Sequence, residues 1–461
     1  MRLFRLIQEN IKLSRFTLVA VGAAMMLTIV ARNAQAKLMN LSAFTLDNGL
    51  QVVVVENHKA PVVLQQVLYK TGSLYDPKGK GGIAHLLEHM MFRGTDKLPG
   101  KMFDNLTQKY GAQSNAYTTY DETGYYEFSD ISKLELMMAL EAERMAHLKM
   151  SDADFLKERG VVLQERKQRF ESNPVPLFYE TLNKILWQDH PFASSVGGSE
   201  PEISGLNIQD ATDFYHAYYR PDNAILILAG NITKDEARVL AKKYYASVQN
   251  PERPFNRPVF VDPKNIDADM VVKLDGVQKP RFVQYIRLDG QLLSKKDIEA
   301  LSLLTTFLTG DDTSYVYDKL VYRDKKLLGV EVGFSYCFGV GGTVSFYAVP
   351  ASEWLKDETP EKQLAEIKEL LFQTVDEGGK ALTQEDLDKI KNRMLSNAVY
   401  MQENPQSAGR FVGSMLINDY TPEEIMNYDE RIMAITLNDV VEAWNKVKES
   451  KAKVAGYLIG Q

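Results

Sequence analysis

The feature that most constrains the fold is an internal repeat, because the second half of the chain reproduces the order of segments in the first. In each half we predict strands, an apolar helix, two helices opened by capping residues, and a closing helix and strand. The stretch ending at Gly94 corresponds to Ile298 to Gly310 in the second copy. Ser132 corresponds to Thr359, Ser151 to Thr383, and Asn173-Pro174 to Asn404-Pro405. The closing strand Ala224 to Ala229 corresponds to Lys453 to Gly460. The repeat predicts an α+β fold of two homologous domains, each a mostly antiparallel sheet covered by helices.

The length of the chain also indicates two domains, since 461 residues exceed what one ordinary core accommodates. Between Ser247 and Asp269 the sequence contains four prolines and no helical periodicity, which is typical of a linker. We therefore predict an N-terminal domain over residues 37–248, a linker over 249–268 and a C-terminal domain over 269–461.

The first 36 residues have the pattern of an export signal. Four basic residues precede an uncharged run from Phe16 to Val30, and Ala34-Gln35-Ala36 offers a small-x-small cleavage site before Lys37. A run of about fifteen residues is shorter than the ~20 needed to span a bilayer. We predict a signal peptide over residues 1–36 that is cleaved after Ala36, a periplasmic location and no stable membrane insertion afterwards. A signal that is retained as an anchor is the alternative.

The charge and the cysteine content exclude two other classes of protein. The formal net charge is -7 for the whole chain, and it becomes -11 when the signal is removed with its five basic and one acidic residue. An acidic protein without a basic cluster is a poor nucleic-acid binder, so we expect no nucleic acid as a partner. Cys337 is the sole cysteine, so an internal disulfide cannot form, and the class of disulfide-stabilised proteins is excluded.

The segment from Ile83 to Phe92, which reads IAHLLEHMMF, carries the clearest sign of chemistry. On a helix, His85, Glu88 and His89 share one face, while apolar residues cover the remaining sides. Two imidazoles and a carboxylate are costly to bury without a partner. A divalent metal held by the two histidines, with Glu88 beside it as a base, would compensate them and matches the inverted zinc-protease pattern H-x-x-E-H.

A single histidine pair of this kind is more often a surface or satisfied core pair than a metal site. The repeat provides an internal control. At the three corresponding positions the second copy has Leu301, Leu304 and Thr305. The fold does not require the polar face, which indicates that in the first copy this face serves chemistry.

A catalytic zinc ion needs a third protein ligand. The helix predicted from Asp152 to Arg169 carries Glu158 and Glu165 on one face. The corresponding residues of the second copy lie near Ile390 and Asn397, and neither is charged. The ordinary alternative is that both residues are solvent-exposed glutamates that pair with arginines of the same helix. The repeat favours Glu165 as a metal ligand.

With these residues the chain resembles the pitrilysin, insulysin and mitochondrial processing peptidase family of inverzincins, in which a glutamate ligand follows the H-x-x-E-H motif. Glu165 lies 76 positions beyond His89, as the family pattern requires. The resemblance covers roughly residues 40 to 461 and includes the duplicated layout and the segments Asn115-Ala116-Tyr117-Thr118, His190-Pro191-Phe192 and Gly197-Gly198. It implies two domains that face each other as a clamshell.

The resemblance also implies one zinc ion (Zn2+) per chain. The metal ligands would be His85, His89 and Glu165, and Glu158 would orient a ligand histidine from behind. Glu88 would be the general base that accepts the proton of a metal-activated water and passes it to the leaving amine.

The implied substrate site is less complete. Asn115, Ala116 and Thr118 would lie on an edge strand that binds an extended peptide by strand addition. Many relatives also have, in the second half, an arginine and a tyrosine seven residues later that hold the substrate. Here Arg323 is the candidate arginine, but Val330 stands at the tyrosine position.

Two explanations of this incomplete clamp stay open. Tyr322 or Tyr336 could substitute for the missing tyrosine, or a zinc-free companion subunit could supply the missing groups. We favour the companion, which would make the enzyme a heterodimer, and a homodimer is the alternative.

The sequence therefore predicts an exported zinc-dependent endopeptidase that hydrolyses peptides or unfolded protein segments. The alternative is a non-catalytic peptide-binding or assembly subunit of the same fold. Such a subunit would have no reason to keep two histidines, a base and a distant glutamate together, so this constellation separates the two hypotheses.

Overall fold

Two β-sheets organise the chain in the computed structural model, which describes residues 39–171, 175–252 and 257–461. The predicted signal peptide, its cleavage site at Ala36 and the predicted helix end at Asn173-Pro174 lie outside the described residues. Residues 257–266 contain no helix or strand, and the next strand begins at Asp267. The domain boundaries stay predictions.

The first sheet has six strands in the order β1-β2-β6-β3-β5-β4. All neighbouring strands are antiparallel except β2 and β6, which are parallel. A turn over Asp47-Asn48-Gly49 joins β1 to β2, and Gly49 has a φ of 88°, which a glycine adopts without strain. The strands are β1 Leu41–Thr45, β2 Gln51–Glu56, β3 Val62–Tyr69, β4 Gln113–Thr118, β5 Thr123–Asp130 and β6 Ala224–Gly230.

The second sheet repeats the first without a counterpart of β1 among the described residues. Its order is β7-β11-β8-β10-β9, and its one parallel pair, β7 with β11, corresponds to β2 with β6. The prediction of an α+β fold with two related, mostly antiparallel sheets is confirmed. The strands are β7 Asp267–Leu274, β8 Arg281–Asp289, β9 Leu327–Cys337, β10 Gly341–Pro350 and β11 Lys453–Gly460.

Helices cover both sheets. Those of the first half are α1 Ile83–Met90, α2 Met102–Lys109, α3 Leu134–His147, α4 Asp152–Glu171, α5 Val175–Trp187, α6 Glu200–Gly205, α7 Ile208–Tyr218 and α8 Lys234–Tyr245. Those of the second half are α9 Lys295–Thr309, α10 Pro360–Ala381, α11 Gln384–Glu403, α12 Pro405–Ile417, α13 Pro422–Met426, α14 Tyr428–Ala434 and α15 Leu437–Glu449. None of the helices in these ranges is both long and apolar enough to cross a membrane.

The predicted helix caps are confirmed at some positions and wrong at one. Thr383 and Asp386 form a reciprocal capping box that opens α11. The box predicted at Ser132 is absent, because Asp130 at the end of β5 accepts a hydrogen bond from the Ser132 amide and starts a short 3-10 turn. Helix α3 therefore begins at Leu134, directly after this turn.

Helices of each half pack into the core of the other half. From the first half, α5 packs Phe178 and Leu182 against Val283 and Val454 of the second sheet. From the second half, α12 packs its apolar face, which includes Ala408 and Val412, against β3 and β6 of the first sheet. The halves therefore share their hydrophobic cores.

Close approach of α12 to the first sheet depends on glycine. A Cβ atom at Gly413 would lie 2.7 Å from Leu68 Cδ1 and 3.3 Å from Ile227 Cδ1. We expect Gly413→Leu to lower the free energy of unfolding by about 1–3 kcal/mol through overpacking, measured by urea unfolding. The matched control is Gly379→Ala in α10, where a Cβ has room 4.0 Å from Trp444 Cδ1 and should stabilise the helix by about 0.5–1 kcal/mol. Equal stability of Gly413→Leu and wild type would contradict the tight contact.

Candidate metal centre

A half-buried aspartate fixes the beginning of helix α1. Asp76 accepts hydrogen bonds from the backbone amides of Gly82, at 2.7 Å, and Ala84, at 3.1 Å. An acceptor at this end of a helix satisfies amides that have no intrahelical partner. Burial raises the pKa of the Asp76 carboxyl, and these two hydrogen bonds oppose the shift.

Two glycine pairs allow the loop before α1 to pack against a second loop. A Cβ at Gly82 would lie 2.6 Å from the carbonyl oxygen of Gly197, and one at Gly198 would lie 2.3 Å from the carbonyl oxygen of Gly81. Both Gly82 and Gly198 have positive φ angles. A side chain at either position would push the start of α1 away, so these glycines fix the helix in place.

Helix α1 has one polar face, as the sequence predicts. Its apolar residues are buried, while the side chains of His85 and His89 are 23% and 19% exposed. The polar face is therefore open enough to admit a ligand. In α9 of the second half, Leu301 and Leu304 are buried at the corresponding positions.

Helix α4 brings Glu165 to this face. Glu165 Oε2 lies 3.9 Å from His85 Nε2 and 3.7 Å from His89 Nε2. The three ligand atoms lie within 4.8 Å of one another. Ligand atoms about 2 Å from a tetrahedral ion are roughly 3.3 Å apart. The spacing and the donor set, two imidazole nitrogens and one carboxylate oxygen, fit a zinc ion with small side-chain adjustments.

Glu158 supports His89 from the other side. Its side chain is buried, and Oε2 lies 3.4 Å from His89 Nδ1. Arg93 Nη2 lies 3.0 Å from Glu158 Oε1. A proton held between Nδ1 and this carboxylate leaves Nε2 free to bind a metal. Arg93 supplies the positive charge that a buried carboxylate requires.

The imidazole of His85 is kept neutral. Burial, the neighbouring His89 and the Arg169 guanidinium together lower the pKa of His85 to about 4. A neutral imidazole is the form that binds a metal.

Glu88 lies on the same face and contacts the edge strand. The Thr118 hydroxyl of β4 donates a hydrogen bond to Glu88 Oε2. Burial raises the pKa of the Glu88 carboxyl, and the Thr118 hydrogen bond and His89 oppose the shift. The first half thus combines a metal-ligand set with an adjacent carboxylate base.

Comparison with known proteins shows the family. The model of insulinase (peptidase family M16) matches residues 51–200, and the model of the peptidase M16 inactive domain matches residues 205–394. The zinc protease PqqE of Helicobacter pylori is 30% identical over 447 residues, which cover 95% of this chain and 96% of that protein. This chain belongs to peptidase family M16.

Two further relatives extend the M16 comparison. The crystal structure of a protease from Helicobacter pylori superposes with a TM-score of 0.81 at 27% identity and covers 91% of this chain and 100% of that one. The probable mitochondrial-processing peptidase subunit beta of Schizosaccharomyces pombe is 22% identical and covers 91% of this chain and 92% of that protein. The named zinc proteases support a peptidase function and zinc use at the level of the family. The inactive-domain match agrees with the apolar face of α9.

The M16 chain offers an open sheet edge beside this centre. Strand β4 pairs with β5 alone among the described strands, and it also contacts α1. Asn115 is exposed, and its side-chain oxygen accepts a hydrogen bond from the Ala116 amide at 2.9 Å. The substrate roles of Asn115, Ala116 and Thr118 stay predictions.

Among the described residues, Arg323 and the two candidate tyrosines make no hydrogen bond or ion pair with the centre. Arg323 is exposed and forms an ion pair with Asp318. The Tyr322 hydroxyl donates to Asp312 at 3.3 Å, and that of Tyr336 donates to the Gly290 carbonyl at 2.9 Å. Within the described ranges, the hydrogen bonds and ion pairs of these three side chains all stay in the second half. The predicted substrate role of Arg323 stays a prediction.

Sequence reasoning missed two residues of this M16 centre, Asp76 and Arg93. Arg93 follows His89 by four residues, and this spacing is a usable signal because it continues the polar face of α1. Asp76 lies outside the helix in an irregular loop, so no periodicity could indicate its capping role.

A carboxyl at the β4–β5 turn should make stability depend on pH. Burial and the neighbouring Asp121 raise the pKa of Glu122 to about 7, although the Tyr117 hydroxyl donates to it at 3.2 Å. In the unfolded chain its pKa is about 4.3. Because the folded protein binds this proton more tightly, stability falls as pH rises between these values. At pH 8 we expect the free energy of unfolding of Glu122→Gln, measured in urea, to exceed that of wild type by on the order of 2 kcal/mol. At pH 4 the two proteins should have equal free energies of unfolding.

The control for this prediction is Glu385→Gln, whose side chain is 79% exposed. This change should leave the pH dependence of unfolding as it is in wild type. A Glu122→Gln protein with the same pH dependence as wild type would show that Glu122 is ionised in the fold at neutral pH.

Proposed function

We propose that this chain is an exported zinc-dependent endopeptidase that cuts peptides or unfolded protein segments. In this proposal His85, His89 and Glu165 hold one zinc ion, and Glu88 is the general base. The observation that carries the proposal is the convergence of these three ligand atoms within 4.8 Å, next to Glu88. The repeat strengthens it, because α9 and α11 have apolar or uncharged residues at the corresponding positions.

A zinc ion in this set would supply Lewis acidity toward a peptide carbonyl and toward water. The chain's own residues supply proton transfer. Thr118 occupies Glu88 Oε2, so Oε1 is the atom that accepts the proton of the attacking water. The same oxygen then passes the proton to the nitrogen of the leaving amine. Glu158 holds the Nδ1 proton of His89 throughout, which keeps Nε2 directed at the ion.

Strand β4 supports a way to align the substrate. An extended peptide that pairs with the open edge of β4 would gain backbone hydrogen bonds without a demand on its sequence. Thr118 lies on this strand and contacts Glu88, so a paired peptide would pass directly beside the base. This arrangement suits peptides and unfolded segments, because their backbone amides and carbonyls are free to pair with β4.

Export and a companion subunit complete the proposal. The basic residues, the apolar run and the Ala36 site support export to a periplasm with removal of the signal.

A zinc-free companion chain would supply the missing groups of the substrate clamp, because Val330 stands at the tyrosine position and Arg323 forms an ion pair with Asp318. Mass spectrometry of proteins that co-purify from the native host tests this: we expect a second M16 chain, and recovery of this chain alone would contradict it.

The experiment for the activity uses casein as an unfolded probe and protein purified from the native host with any partners attached. We expect cleavage that a chelator abolishes and added zinc restores. If zinc-replete protein leaves casein intact, the chain is the non-catalytic peptide-binding or assembly subunit instead.

Thr118 should be a positioning residue for Glu88. We expect Thr118→Val to lower kcat roughly tenfold while KM changes little, because it removes the hydroxyl that holds Oε2 and keeps the side-chain shape. Thr118→Ser retains the hydroxyl and should keep kcat within about twofold of wild type. Equal kcat values for the valine and serine variants would rule out this role.

A further inference from the structure

Helix α4 carries three arginines, and two of them have structural partners. Arg159 Nη1 donates to the carbonyl of Leu206 at 2.7 Å. Arg166 donates to the carbonyl of Gly198 at 2.6 Å and pairs with Glu180 at 3.1 Å. Arg169 is exposed and has neither a hydrogen bond nor an ion pair among the residues that the structure describes.

The position of Arg169 makes this free charge unusual. It follows Glu165 by four residues, so both side chains lie on one face of α4, one turn apart. A glutamate and an arginine at this spacing ordinarily pair with each other. Here Glu165 Oε2 is directed at the His85 and His89 rings instead. The guanidinium is therefore available beside the metal-ligand set.

The position of Glu165 and one further neighbour indicate which way Arg169 faces. Glu165, one turn earlier on the same face of α4, lies 3.9 Å from His85. Burial raises the pKa of Tyr120, in the turn between β4 and β5, and the Arg169 guanidinium opposes this rise. The open edge of β4 ends near this point, because the amides of Ser73 and Leu74 donate to the carbonyls of Thr119 and Tyr120. A peptide paired with β4 must leave the strand after Thr118.

The repeat again serves as a control. The second-copy position that corresponds to Arg169, four residues beyond Asn397, is Met401. Both copies have a long side chain at this position, but only the copy with the metal-ligand set has a charged one.

We propose that Arg169 binds a carboxylate of the peptide substrate within a few residues of the scissile bond. The inference rests on the proposed endopeptidase function and adds a specificity-determining residue to it. A guanidinium offers paired donors in the geometry of a carboxylate. The carboxylate can come from an aspartate or glutamate side chain or from the C-terminus of a short peptide, and both sources present the same group.

The test profiles cleavage sites by mass spectrometry in a peptide mixture from a bacterial proteome. We expect wild-type holoenzyme to favour Asp and Glu at one fixed position near the cut by about fivefold over Asn and Gln. Arg169→Gln should lose this preference, Arg169→Lys should retain part of it, and Arg169→Glu should favour Lys and Arg at the same position. If the C-terminus is the source, cuts will lie at a fixed distance from peptide ends, and amidated peptides will lose the preference.

Two controls and one binding measurement make the result decisive. Lys157→Gln removes an exposed charge from the same helix and should leave the profile unchanged. Zinc content should be equal in all variants. In the Glu88→Gln background, Arg169→Gln should weaken binding of a fluorescent acidic peptide about fivefold, measured by anisotropy without turnover.

The outcomes separate this inference from the proposed function. Cleavage with identical profiles for wild type, Arg169→Gln and Arg169→Glu would overturn the role of Arg169 and leave the endopeptidase proposal intact. Absence of any cleavage by wild type would overturn both.

Discussion

Glu88→Gln should lower kcat/KM for peptide cleavage by roughly a thousandfold, because general-base catalysis by a positioned carboxylate contributes about 10²–10⁴. The amide cannot accept the proton that Oε1 of the proposed base would take from water. The change is nearly isosteric, and the Thr118 hydroxyl can still donate to the remaining carbonyl oxygen. Initial rates on a quenched peptide, measured in the preparation that cleaves casein, provide the value.

Stability and metal content separate this loss from a damaged fold. Burial already disfavours the ionised form of Glu88, so the neutral amide should leave the free energy of unfolding equal or slightly higher. Zinc content should match that of wild type, since Glu88 is not a proposed ligand. A Glu88→Gln protein that cleaves as fast as wild type would mean that another group is the base.

Glu165→Gln should weaken zinc binding by more than about a hundredfold, beyond the effect typical of residues that only support a ligand. The amide has no negative charge, and the two imidazoles alone make an incomplete set. Cleavage should fall in proportion to zinc occupancy, and excess zinc should restore part of it. Zinc affinity can be measured by competition with a chromogenic chelator.

The stability of the folded chain gives a second measure of the same loss. Zinc at about 1,000 times its Kd should stabilise wild type by about 4 kcal/mol, and Glu165→Gln should lose most of this increment. Glu385→Gln, on the equivalent helix α11 of the second half, should retain both the affinity and the increment. Wild-type zinc affinity in Glu165→Gln would remove this residue from the ligand set.

The repeat and the polar face of α1 could be predicted from the sequence for physical reasons. Local patterns carry them: polar residues three and four positions apart among apolar ones, capping residues before helices, and a second copy in which the polar face is replaced by Leu301 and Leu304. Even the distant Glu165 could be singled out, because the corresponding residue of the second copy, Asn397, shows that the helix does not need a charge at this position. These features depend on short-range chemistry and on comparison within one chain.

The features that the sequence could not reveal depend on tertiary contacts. Nothing local in α5 indicates that Phe178 packs on the sheet of the other half, or that Gly413 of α12 approaches Leu68. The capping box predicted at Ser132 was wrong because Asp130, at the end of β5, accepts the hydrogen bond of the Ser132 amide. Only the family resemblance points to Arg323, and this residue ends a π-helical segment, Asp318–Arg323, that no periodicity predicts.

The sharing of cores has a consequence for the proposed centre. Helix α4 contacts α5, and α5 is anchored in the sheet of the second half by Phe178 and Leu182. The proposed ligand Glu165 on α4 is therefore held against α1 partly by packing in the other half. The second half, although it lacks the polar face, contributes to the geometry of the first.

Anomalous diffraction at the zinc absorption edge, from crystals of the native protein, will show whether a zinc ion lies between α1 and α4. We expect one strong peak per chain, in bonding contact with His85 Nε2, His89 Nε2 and a Glu165 carboxylate oxygen, and no peak beside α9. A zinc-replete crystal with no peak between these three side chains, or with Glu165 turned to solvent, would contradict this expectation.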